Sequence, residues 1–209
     1  MRILIDTYAS HHVERFQFWH RAVESLALAL NDRGHDSVVI VDGLVTRDIT
    51  EALRAIPRAS LVNFPRRSDV FFTRATEAEL LTRMCLFHNI DAAVTAGHSY
   101  VLGVPTLVAL SNESHDVVDS AALDVNLSLR LAVSMASAIV VPDETAKTAL
   151  QSLLPVLSPS FVCLAEPAGY HNVIPTLLET MDTRLEWFHN PETSAIIQDY
   201  QRRAQLLQA

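Results

Sequence analysis

The chain has 209 residues, 49% hydrophobic and 19% charged, with a formal net charge of -8 at pH 7. A chain of this length can bury one sizeable core, and we expect a single domain. The negative charge argues against nucleic acid or an anionic membrane surface as a partner.

The chain opens with a strand–helix–strand pattern. Residues 1–6 form a short apolar run that predicts the first strand, and a polar loop follows it. Apolar residues at steps of three and four, among them Trp19, Val23 and Leu30, predict an amphipathic helix over residues 16–33. Gly34 can adopt the left-handed conformation that ends such a helix. Residues 37–41 lack polar alternation, which is typical of a parallel strand covered on both faces.

Apolar runs and amphipathic segments alternate along the rest of the chain. The predicted strands, including the first two, are residues 1–6, 37–41, 60–64, 91–96, 105–110, 138–141 and 161–164. The predicted helices are residues 16–33, 50–56, 76–88, 124–137, 144–154, 170–189 and 191–208. Expected N-terminal caps are Thr50, a capping box of Thr76 with Glu79, and Asp143.

This alternation predicts right-handed crossovers between parallel strands. We therefore expect an α/β fold, a Rossmann-like doubly wound parallel sheet of about six to seven strands with helices on both faces. The Arg33-Gly34-His35 turn is expected at the edge of the sheet that holds the amino ends of the strands.

Two further features bear on the location of the chain. Cys85 and Cys163 lie in separate predicted elements, and we expect both to be buried free thiols in a reducing compartment. No apolar run reaches the roughly 20 residues of a membrane span, and the opening run is too short for a signal sequence. A cytoplasmic location is expected.

Polar side chains follow the first, fourth and fifth predicted strands. In doubly wound sheets, ligands bind at the carboxyl ends of the strands where the strand order reverses, so these loops share one crevice if strand four lies beside strand one. Asp6 lies at the end of the first strand, where the first of these loops begins. The candidate catalytic residue in the loops is His115, and the candidate substrate-binding residues are Tyr8, His11, His12, His98, Ser99, Asn112, Glu113 and Asp116.

Histidine in such a loop can act as a general base, donate a hydrogen bond to a sugar hydroxyl or phosphate, or bind a metal. The alternative for any one of these histidines is that it is simply a solvated loop residue with no role in binding or catalysis. The adjacent His11 and His12 are poorly spaced for one metal centre, so we expect no metal site.

Several familiar motifs are absent. The loop after the first strand contains no glycine, so both the dinucleotide-binding fingerprint and the P-loop are missing there. The G-x-S-x-G elbow of hydrolases is missing as well. These absences argue against nicotinamide and ATP, and we predict no cofactor.

The sequence from Leu28 to Val38, after an opening strand, resembles the N-terminal, acceptor-side domain of GT-B glycosyltransferases of the glycogen-synthase-like retaining group. Three further segments agree in order, namely residues 91–97 followed by 103–108, the His115-Asp116 pair, and residues 136–144 with Lys147. The resemblance covers residues 1–154, and residues 155–209 are expected to add the last strand and two closing helices to the same domain.

The resemblance implies that His115 and Asp116 face the cleft between acceptor and donor. Two departures from the family pattern are evident. Ala9-Ser10-His11-His12 replaces the glycine-rich turn after the first strand, and the C-terminal domain that binds the nucleotide sugar has no counterpart.

Three hypotheses follow. The first is a glycosyltransferase-related protein that binds a sugar or a glycosylated acceptor, with hexosyl transfer depending on a partner subunit that binds the nucleotide sugar. In it, His115 orients the reacting hydroxyl, His98 and Asn112 hold that hydroxyl, and Tyr8, His11 and His12 form the acceptor surface. The second is a non-catalytic scaffold or regulator of a transferase, and the third is a stand-alone enzyme for a small anionic substrate. A homo-oligomer is also expected, because the surface that a second domain covers in the family would otherwise expose apolar patches.

Overall fold

A computed structural model describes residues 1–7, 17–41, 47–63, 74–96, 101, 103–110, 132–133, 136–153, 160–164 and 172–179. Its strands are β1 (Arg2–Asp6), β2 (Asp36–Val41), β3 (Ala59–Asn63), β4 (Ala92–Ala96), β5 (Thr106–Ala109), β6 (Ala138–Val141) and β7 (Ser160–Cys163). Its helices are α1 (Gln17–Asp32), α2 (Arg47–Arg54), α3 (Arg74–Phe87), α4 (Glu144–Leu153) and α5 (172–179), and residues 132–133 are also helical.

All seven strands form one parallel sheet in the order β3-β2-β1-β4-β5-β6-β7. Strand β1 pairs with β2 on one side and β4 on the other, so that Ile3 lies opposite both Ser37 and Ala92. Strands that follow one another in the chain are parallel throughout, as the alternation of elements predicts. The predicted Rossmann-like fold is confirmed.

Helices cover both faces of the sheet. Ile3 and Ile5 belong to a core cluster with residues of α1, α2 and α5, whereas Leu4 belongs to a different cluster with Leu81 and Cys85 of α3. Successive side chains of a strand point to opposite faces, so α3 lies on the face opposite to α1. Helix α4 packs on the same face as α3, through a third cluster at β5, β6 and β7. The sheet is therefore doubly wound.

Helix α1 ends in the left-handed turn that the sequence predicts at Gly34. Gly34 has a φ of 75° and donates its N–H to the carbonyl of Asn31 at 2.9 Å. The N–H of His35 reaches back to the carbonyl of Leu30, also at 2.9 Å. These two bonds form a Schellman motif, which satisfies carbonyls that the helix end leaves without partners. The turn leads directly into β2 at the amino-end edge of the sheet, as predicted.

Helix α3 ends in the same way without a glycine. Asn89 has a φ of 52°, and the N–H of Ile90 bonds the carbonyl of Cys85 at 2.9 Å. The buried Ile90 packs in the same core cluster as Cys85, which is the apolar contact that usually accompanies this motif. Asparagine tolerates the left-handed conformation, so it ends the helix where glycine is absent.

Two predicted helix starts are wrong. Helix α2 begins at Arg47, three residues before the expected cap Thr50, and Arg47 pairs one turn later with Glu51 at 2.7 Å. Helix α3 begins at Arg74, so the predicted capping-box residue Thr76 lies inside it. The carboxylate of Glu79 accepts a hydrogen bond from Arg83 at 2.7 Å. Ion pairs spaced by four residues, such as Arg47 with Glu51 and Arg83 with Glu79, support a helix along its exposed side.

The third predicted cap is confirmed. The Asp143 carboxylate accepts a hydrogen bond from the backbone N–H of Ala146 at 2.8 Å, at the start of α4. Both cysteines are free and buried, as predicted. The predicted helix 191–208 and most of the predicted helices 124–137 and 170–189 lie outside the described residues. Within the described ranges, no helix combines the length and apolar character needed to cross a membrane.

Candidate functional site

The strand order reverses between β1 and β4. Strands β2 and β3 lie on one side of this boundary, and β4 to β7 lie on the other. Ile5 pairs with Val94 across it, so the carboxyl ends of β1 and β4, at Asp6 and Ala96, lie at the same edge of the sheet. Strand β5 follows next to β4. The predicted adjacency of these three strand ends is confirmed, and it forms the switch point at which doubly wound sheets bind ligands.

The predicted site residues themselves lie outside the part of the chain that the structure describes. These residues are Tyr8, His11, His12, His98, Ser99, Asn112, Glu113, His115 and Asp116. The structure does define the three strand ends that precede these residues in the chain, at Asp6, Ala96 and Ala109. The roles of the nine residues stay predictions.

Asp6 is the acidic side chain that the structure does place at the switch point. It is the last residue of β1, and it is 0% exposed. Taking a carboxylate out of water is unfavourable by several kcal/mol unless partners compensate for the lost hydration. Asp6 does have interaction partners, and it is its place at the carboxyl end of β1, where the strand order reverses, that makes it a candidate functional residue. The order of the predicted elements also places Asp6 at this edge.

Buried hydrogen bonds fix the backbone beside this carboxylate. The indole N–H of Trp19, in α1, donates to the carbonyl of Asp6 at 2.8 Å. On the other side of the same peptide group, the N–H of Thr7 donates to the carbonyl of Ile40 at 3.2 Å. The Thr7 hydroxyl donates to that same carbonyl at 2.7 Å. The exit of β1 is therefore held from both α1 and β2.

A second group of polar side chains lies at the same edge, at the ends of β6 and β7. The Cys163 thiol donates to Oε1 of Glu144 at 3.2 Å, and the ammonium group of Lys147 donates to the same oxygen at 2.9 Å. Glu144 is the first residue of α4, and Lys147 lies one turn further on. Sequence analysis missed the contact of Cys163 with Glu144, although the pairing of consecutive strands β6 and β7 would have brought the two residues close.

The described residues offer no evident metal centre. Within the described ranges, no group of three or more His, Cys, Asp or Glu side chains is placed to hold a metal ion. The chemistry available at the described switch point is that of a buried carboxylate on a fixed peptide.

No protein-family model and no curated protein sequence matches the chain. Solved structures do match. The UDP-GlcNAc 2-epimerase of Neisseria meningitidis, solved with UDP-GlcNAc, superposes with a TM-score of 0.54 at 11% identity, over 96% of this chain and 54% of that one. MnaA of S. aureus, solved with UDP, superposes with a TM-score of 0.52 at 14% identity, over 78% of this chain and 43% of that one.

These likenesses concern the fold, since the identities are low. The chain spans about half the length of the solved structures that it matches. The parallel sheet and the structural neighbours together show a GT-B-like, Rossmann-type α/β fold.

Proposed function

We propose that this chain is the sugar-binding part of a GT-B-like, nucleotide-sugar-dependent protein, and that the ligand lies at the carboxyl edge between β1 and β4. The observation that carries the proposal is the reversal of strand order between β1 and β4, with Asp6 on a fixed peptide at the end of β1. The fold likeness to proteins solved with UDP-GlcNAc and with UDP supports it.

A buried carboxylate suits the recognition of sugar hydroxyls. Hydroxyl groups donate, a carboxylate accepts on both oxygens, and hydrogen bonds to a charged acceptor are stronger than neutral ones. A surrounding of low dielectric strengthens such bonds further. In this proposal the Asp6 side chain, buried in the unliganded chain, becomes accessible when the sugar binds and then accepts from one or two ring hydroxyls. The segments after β4 and β5 add His98, Asn112 and His115.

The nucleotide is bound elsewhere. The segment after β1 has no glycine, so its backbone is not suited to wrap around a pyrophosphate. A complementary domain, carried by a partner subunit, supplies the nucleotide site in this proposal, and His115 orients the reacting hydroxyl for hexosyl transfer.

Calorimetric titration with UDP-GlcNAc, UDP and GlcNAc tests the sugar-binding role. We expect the unsubstituted chain to bind UDP-GlcNAc and GlcNAc. Asp6→Asn keeps the shape of the side chain and removes its charge. A hydrogen bond to a charged group contributes about 1.5–3 kcal/mol, so binding of GlcNAc should weaken about tenfold to a hundredfold.

Glu144→Gln is the matched control, because Glu144 is a carboxylate at the same sheet edge but lies at the end of β6. We expect it to leave GlcNAc binding unchanged. Circular dichroism must show that Asp6→Asn remains folded. Equal affinity in the folded Asp6→Asn variant and the unsubstituted chain would contradict the proposal, as would binding of UDP with no contribution from the sugar.

A separate experiment tests the partner. Mass spectrometry of the protein purified from its native source should find a second chain at equal stoichiometry, and the pair should transfer a hexose. His115→Ala should abolish transfer and leave assembly of the pair intact. Full transfer by the His115→Ala pair would exclude the proposed role of His115.

A further inference from the structure

We propose that Trp19 is a positioning residue for the candidate site. Its buried hydrogen bond to the Asp6 carbonyl sets the orientation of the peptide from which the Asp6 side chain and the following segment leave β1. The inference rests on the proposed function of this sheet edge, and it assigns a functional role to a residue that the apolar pattern placed simply in the core.

The geometry is that of one peptide group held on both sides. The Asp6 carbonyl accepts from Nε1 of Trp19 at 2.8 Å, and the Thr7 N–H donates to the Ile40 carbonyl at 3.2 Å. Because the peptide group is planar, these two bonds together fix its orientation relative to both α1 and β2. The Thr7 hydroxyl adds a third bond, to the same Ile40 oxygen at 2.7 Å. Asp6 and Trp19 are 0% exposed and Thr7 is 1% exposed, so water does not compete for these partners.

This peptide group lies where the pairing of β1 with its two neighbouring strands ends. The register of β1 with β2 ends at the pair Asp6 and Ile40, and that with β4 ends at Ile5 and Val94. At this end of the pairing, the indole N–H of Trp19 donates to the Asp6 carbonyl. A tryptophan suits this place because it fills the core like other large apolar residues and also carries an N–H donor.

Two substitutions in α1 separate positioning from general stability. Trp19→Phe keeps an aromatic ring and removes the donor. Leu30→Ala, near the other end of α1, opens a cavity in the same core cluster but lies roughly 16 Å away along the helix axis. Both variants should be destabilised, since each loses buried apolar volume.

The first measurement needs no ligand. Amide hydrogen exchange of Thr7 is compared with that of Leu4, in the middle of β1, in both variants. Trp19→Phe should lower the protection of Thr7 relative to Leu4 by about tenfold, because one of the bonds that hold its peptide is gone. Leu30→Ala should leave this ratio as in the unsubstituted chain, since general destabilisation affects both amides alike.

The second measurement is binding of UDP-GlcNAc. We expect Trp19→Phe to weaken it about tenfold and Leu30→Ala to leave it unchanged. An unchanged exchange ratio in Trp19→Phe would overturn the inference, and so would an equal loss of affinity in the two variants. Failure of the unsubstituted chain to bind UDP-GlcNAc would overturn the proposed function, whereas the exchange ratio would still report whether Trp19 holds the peptide.

Discussion

The turn at Gly34 allows a stability change to be worked out from the structure. Gly34 has a φ of 75°, and a Cβ added at this position meets no atom within 4 Å. Gly34→Ala therefore introduces no clash, and both Schellman hydrogen bonds can stay. The remaining effect on stability is that alanine, an L-residue, must adopt the left-handed conformation, which is unfavourable by about 1–2 kcal/mol. This loss is partly offset because alanine gives the unfolded chain less conformational entropy than glycine does.

We expect Gly34→Ala to lower the free energy of unfolding by about 1 kcal/mol net. For a chain of this size, that corresponds to a fall in Tm of about 2–4 °C. Urea unfolding followed by circular dichroism measures the effect, with an unchanged slope against urea concentration. Gly103→Ala tests the same backbone effect at a second position, because Gly103 has a φ of 84° and a Cβ there also meets no atom within 4 Å. A loss above about 3 kcal/mol at Gly34, or no loss at all, would refute the reasoning.

Three other groups give further predictions. Burial, followed by the positive charges of the N-terminus, Arg33 and Arg58, lowers the pKa of His35 from 6.5, and Asp36 opposes them. The unfolded chain then binds more protons than the folded one in the window just below pH 6.5, so stability rises with pH across it and is lost on acidification. His35→Gln should flatten this part of the curve of unfolding free energy against pH, and an unchanged slope would contradict the assignment. Burial raises the pKa of Cys85 to about 12, so in a Cys163→Ser background its thiol should resist a disulfide reagent at pH 8 until urea unfolds the chain. Rapid labelling of the folded chain would count against this. Asp143→Ala removes the bond to the Ala146 N–H and should destabilise the chain by about 1 kcal/mol in urea unfolding, while Asp143→Ser retains most of the stability. Equal loss in the two variants would exclude capping as the cause.

Most of the described fold could be predicted because it depends on local and periodic signals. The seven strands follow apolar runs, and Gly34 marks a turn for which an unstrained left-handed residue is needed. The position of β4 beside β1 follows from general rules of chain connection. These signals also located the switch point and Asp6.

Side-chain partners could not be predicted in the same way. The apolar period placed Trp19 in the core, but the direction of its indole N–H depends on packing between α1 and β1. The contact of Cys163 with Glu144 joins two elements, and it appears only when β6 and β7 are paired. Capping motifs did not reliably predict where a helix begins, because polar residues such as Thr50 and Thr76 also occur inside the first turns of a helix. The left-handed Asn89 shows that asparagine at a helix end should be considered together with glycine.

A crystal structure of the chain with UDP-GlcNAc tests the central claim most directly. The account predicts that the sugar lies at the carboxyl edge between β1 and β4, with a hydroxyl within hydrogen-bond distance of the Asp6 carboxylate. A sugar bound away from Asp6, or a crystal in which saturating UDP-GlcNAc leaves this edge empty, would contradict it.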